Sequence, residues 1–141
     1  MIITGILSII LYLASGILLL LKLNSHASVA ALSRFQLLLP AIIAMLLHGW
    51  VVYQSLLTGQ GMDVGFYAVL SLVGWLVALL LLAATFAQPI ESLGIFVFPT
   101  AAMMLLLRLL NPAGYYLSQN LGSGLELHIL LSILAYSLLS I

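Results

Sequence analysis

The stretch IITGILSIILYLASGILLLL, residues 2–21, decides the class of fold. It carries no charged side chain, and as a helix rising 1.5 Å per residue it reaches about 30 Å, the thickness of a bilayer's hydrocarbon core. Inside lipid only a helix can satisfy all its backbone groups within one segment, so the run reads as a helix and not as a strand. It does not read as a cleaved signal peptide. No basic region precedes it, and its apolar part is longer than a signal's.

Four more apolar runs follow. Residues 35–57 end in the turn TGQG, 64–87 end at Gln88-Pro89, and 90–110 end at Asn111-Pro112. The last covers 127–141. Composition agrees with a membrane setting. The chain is 65% hydrophobic and 4% charged, against about 25% charged in a soluble domain. Three basic and three acidic residues cannot solvate a folded surface of 141 residues, so lipid is expected to cover most of it. A net charge of zero argues against a nucleic-acid partner. The absence of cysteine excludes disulfides and thiolate-bound metal. The expected fold class is all-α. It is a polytopic transmembrane helix bundle of five helices in one domain over residues 1–141, without internal repeats or a flexible linker.

The final run, GLELHILLSILAYSLLSI from Gly124, is short. Its 15 residues from Leu127 span about 22 Å of a hydrocarbon core about 30 Å thick. The expectation is a truncated fifth helix in the N-terminal portion of a longer protein. The alternative is a half-spanning helix covered by a partner chain. Lys22 and Arg34 flank the first loop, and Arg108 lies at the opposite end of the helices. By the positive-inside rule the first loop is expected to be cytoplasmic and the N-terminus outside. Both Arg108 and His128 then belong to the outer side.

Each run carries small or polar residues at helical spacing, which let helices approach and hydroxyls bond across them. These are Ser8, Tyr12 and Ser15; Ala41, Ala44, His48 and Ser55; Tyr67, Ser71, Gly74 and Ala78; Phe98, Ala101, Leu105 and Arg108; and His128, Ser132, Ala135 and Tyr136. Both intramembrane histidines are thereby expected to face protein. His48 lies roughly 13 Å inside its helix, a depth at which ionisable residues are rare and often functional. It is either a neutral ring bonded to a serine or a backbone carbonyl, or an axial ligand or proton carrier. His128 is either a polar helix start beside Glu126 or a ligand. His26 falls in a loop and is expected to be solvated.

Pro40 is expected in the first turn of its helix, where a missing N–H costs little, and Pro99 inside the fourth, where it should introduce a kink. Glu91 marks an N-terminus that favours negative charge. Arg108 and Glu126 border one outer loop and either pair across it or leave Arg108 to hold an anion. No nucleophile with a base, paired carboxylates, phosphate loop or metal-binding spacing is present, so the chain is not expected to be an enzyme.

The motif of His128, Ile129 and Tyr136 in ELHILLSILAYSLLSI resembles the H-[IV]-x6-Y helix of the CcsA/CcmC/ResC haem-handling superfamily of cytochrome c assembly proteins. His48 in LLHGW, FVFP at 96–99 and the loop leading to LHILLS are similar to its YpjD/HemX-like branch. The resemblance covers essentially the whole chain. It implies a bundle of about eight helices and haem b held by outer-side histidines, with His128 as one iron ligand. His48 would serve a separate, deeper haem site, Tyr136 would belong to the motif helix, and Arg108 would meet a propionate. Implied partners are lipid, haem and another membrane protein or a cytochrome c assembly component. One feature departs from the pattern: Trp50 and Trp75 are isolated within helices, and no tryptophan-rich segment is present. The competing classes are a transporter subunit and a structural or regulatory membrane partner without haem.

Overall fold

The computed structural model describes residues 1–56, 63–114 and 123–139. Among them are five long helices and no strand. These are α1 (Ile2–Leu23), α3 (Arg34–Leu56), α4 (Phe66–Ala87), α5 (Gly94–Leu110) and α6 (Ser123–Leu139), with a single turn α2 (Ala27–Ala30) in the first loop. A 3₁₀ turn, Glu91–Leu93, leads into α5. Four helical segments, from α1, α3, α4 and α5, are long and apolar enough to cross a membrane, so this is a multi-pass membrane protein. Sequence boundaries agree to within a few residues for three of these spans. For the fourth, the expected start at Ile90 falls just ahead of the 3₁₀ turn. α6 starts three or four residues ahead of the expected start at Glu126 or Leu127, and residues 140 and 141 lie outside the described set.

The four spanning helices form a ring. α1 packs on α3 and α5, and α4 closes the other side against the same two. α6 lies outside the ring, alongside α4. The core is the row of small residues foreseen from spacing: Ser8, Tyr12 and Ser15 on α1, Ala41, Ala44 and His48 on α3, Ser71, Gly74 and Ala78 on α4, and Phe98, Ala101 and Leu105 on α5 are all buried. Two α1 hydroxyls bond across to α3, Ser8 to the Ala44 carbonyl at 2.8 Å and Ser15 to that of Leu37 at 3.1 Å. The Trp75 indole N–H donates from α4 to the Met45 carbonyl of α3 at 2.9 Å. Glycines admit the closest approaches. A Cβ on Gly16 would meet the Pro99 ring at 3.3 Å, and one on Gly74 would meet Met104 Sδ at 2.9 Å and Cβ at 3.2 Å.

α1 stops in a Schellman turn. The His26 N–H donates to the Leu21 carbonyl and that of Ser25 to Lys22, with Ser25 left-handed at φ 55. The reversal brings α2 and the start of α3 back under the end of α1.

Two expectations are corrected. Pro40 lies inside α3, in its second turn, so the Gln36 carbonyl loses its intrahelical donor. The α6 stripe does not face the bundle. Ile133 and Ser137 are buried and Ile129 packs beside them, whereas His128, Leu131, Ala135 and Leu138 lie on the far side and are exposed. Apolar bulk decided the orientation, since Ile129 and Ile133 fill the space beside Val52 and Leu72.

Gly74→Leu should therefore push α4 from α5 and destabilise the bundle by about 1–3 kcal/mol. Gly5→Ala, which meets only the flexible end of Leu109, should be far milder. Thermal unfolding in mild detergent, followed by far-ultraviolet circular dichroism, distinguishes the two.

Candidate functional site

Polar groups inside the ring gather around His48. Its ring is fully buried and its Nε2 lies 3.0 Å from Ser71 Oγ. Tyr12, also fully buried, meets the imidazole edge-on with ring centroids 5.9 Å apart and stacks on Phe98 at the same separation. Three helices thus contribute one polar group each, because α1, α3 and α4 turn their small-residue faces to a common centre. Tyr12 Oη and His48 Nδ1 have no hydrogen-bond partner among the described residues.

A second polar group closes one end of the ring. The Arg108 guanidinium, in the last turn of α5, donates from Nη2 to Asp63 Oδ2 at 2.8 Å. The two side chains are 6% and 0% exposed. Asp63 also accepts the Gly65 N–H at 2.9 Å, which forms the turn that starts α4. Arg108 Nη1 donates to the Asn111 carbonyl at 3.1 Å. A cavity of about 10 Å³ lies between Ser55, Ser71 and Arg108, room for about one water. Val52 and Ala68 complete its walls.

The predicted site residues therefore separate. Arg108 is neither free for an anion nor presented to a propionate, because Asp63 holds it. The Glu126 side chain lies outside the described residues. Of the two readings of His48, the contact with Ser71 is the serine bond of the first. His128 and Tyr136 are exposed on α6, Tyr136 at 74%. His26 is exposed as expected. No group of three or more His, Asp or Glu side chains is placed to hold a metal ion among the described residues.

Asp63 is the residue that sequence reasoning passed over. A signal was present: it is one of three acidic residues in the chain. It stands just ahead of a span, at the same end of the bundle as Arg108 once the crossings are counted.

No protein-family model, curated protein or solved structure matches the chain.

Asp63→Asn should cost about 3–5 kcal/mol, because it leaves a buried guanidinium without its counter-charge. Pairing Asp63→Leu with Arg108→Met should recover most of the loss. Chemical denaturation of each variant in detergent measures both effects. Equal stability of Asp63→Asn and the parent would mean that the pair is solvated.

Proposed function

We propose that this membrane protein binds haem, with His128 as an iron ligand, in a role related to cytochrome c assembly. The observation carrying the proposal is the placement of His128. An imidazole on the exposed side of an apolar helix is costly in hydrocarbon unless something covers it. Leu131, Ala135 and Leu138 continue the same exposed face, an apolar surface suited to a flat macrocycle. The resemblance of His128, Ile129 and Tyr136 to the haem-handling motif supports the same occupant. Haem b would supply any redox chemistry. The chain's own part is to present an imidazole, a common iron ligand, and to hold α6 against α4 through Ile129 and Ile133. Binding and presentation, not catalysis, is the proposed activity.

Arg108 and His48 have no part in this site. We place the protein in a bacterial inner membrane with the N-terminus outside. Lys22 and Arg34 beside the first loop, against Arg108 alone at the other end, favour a cytoplasmic first loop. A second reading draws on the same exposed α6 face. A helix of a partner membrane protein would also cover His128, giving a structural subunit without haem.

The full chain purified in mild detergent from haem-sufficient cells should show a Soret band and sharp reduced α and β bands. His128→Ala should abolish them with unfolding unchanged, whereas His48→Ala should leave the Soret band in place. A colourless, folded protein that takes up no added haem would favour the partner-subunit reading.

Topology is checked separately, since the chain has no cysteine of its own. A cysteine introduced at Ser25 should react with an impermeant thiol reagent only after permeabilisation. One introduced at Pro112 should react in intact cells.

A further inference from the structure

The end of the bundle opposite Asp63 and Arg108 holds a cleft of about 440 Å³. It opens where the last turn of α1, the first turn of α3 and the 3₁₀ turn before α5 meet. Lys22 and Arg34, two of the chain's three basic residues, line it. Glu91 and the Ser92 hydroxyl lie opposite, and Leu19 and Leu37 form an apolar floor. With two cations and one carboxylate, the cleft keeps a net positive charge.

The cations are held in place by the fold. Arg34 Nη2 donates to the Thr85 and Gln88 carbonyls at the end of α4 and pairs with Glu91 at 2.9 Å. All these contacts use one nitrogen. Nη1 and Nε make none among the described residues, so the guanidinium keeps donors for a further anion. Lys22 Nζ donates to the Val29 and Leu32 carbonyls at 3.4 and 3.2 Å, which holds the ammonium over the same opening. The Arg34–Glu91 pair is partly in water, with side chains 41% and 29% exposed. Such a pair is weakly held and yields readily to a phosphate, which matches guanidinium geometry in a fork.

We propose that this cleft binds the phosphate headgroup of an anionic phospholipid. The location selects lipid over free phosphate. The cleft lies at the ends of three membrane-spanning helices, at headgroup level, and its floor of Leu19 and Leu37 offers nothing to an inorganic ion. Leu23 and Phe35, 63% and 61% exposed at the same end, continue the apolar surface for an acyl chain. Basic pockets between spanning helices are a recurrent way of holding acidic headgroups.

The test uses the full chain in mild detergent, titrated with phosphatidylglycerol, phosphatidylcholine or inorganic phosphate, with bound lipid counted by native mass spectrometry. Phosphatidylglycerol should bind at least tenfold more tightly than phosphatidylcholine, and inorganic phosphate should not displace it. Lys22→Gln should weaken phosphatidylglycerol binding several-fold. Glu91→Gln, which removes the competing carboxylate, should strengthen it. These opposite signs separate a headgroup site from a loss of fold, because damage to the bundle would lower binding in both variants. Equal binding of the two lipids, competition by inorganic phosphate, or weaker binding in Glu91→Gln would overturn the proposal.

Discussion

A buried polar group in hydrocarbon has no water to fall back on, and this constraint arranges the whole bundle. Backbone groups are satisfied within each helix, which fixes the elements as helices. Side-chain polar groups must then find partners on a neighbouring helix or on their own. On α1, Ser8 and Ser15 reach carbonyls of α3, Trp75 reaches from α4 to α3, and Arg108 reaches Asp63 ahead of α4. Each bond also sets the register of one helix against another. Small residues at the same levels allow the approach that makes these bonds possible.

α6 shows the contrasting case. Ser132 and Ser137 donate to the His128 and Ile133 carbonyls of their own helix, both at 2.8 Å. The α6 contact with the ring instead runs through Ile129 and Ile133. Apolar packing lies along one side of this helix, and its other side carries His128. The two intramembrane histidines are therefore chemically different sites. His48 is a buried member of a three-helix polar cluster, and His128 is exposed on α6.

The two ends of the bundle differ as well. Asp63 and Arg108 form a dry ion pair that ties the residues just ahead of α4 to the end of α5, whereas Arg34 and Glu91 form a wet one beside an open cleft. A dry pair is costly to break and rigid. A wet pair exchanges partners at little cost, which suits a surface that meets lipid headgroups.

Runs of about 20 apolar residues, nearly free of charge, made four spans legible, because length and backbone satisfaction in lipid leave one secondary structure available. Helical spacing of Ser8, Tyr12 and Ser15, and of Ala41, Ala44 and His48, identified the inward faces, since small residues are where helices meet. Period and composition rank faces, however, and do not name partners. Asp63 stood in a loop with no periodicity to mark it, and only its distance from Arg108 revealed the pair. On α6, spacing placed His128 inward, but the shape complementarity of Ile129 and Ile133 to Val52 and Leu72 turned the helix the other way. The sequence by itself determined that the chain is a membrane helix bundle and which faces of its four spans are buried. Tertiary structure alone decided which polar groups pair and which histidine is presented, because those outcomes depend on three-dimensional packing between residues far apart in the chain.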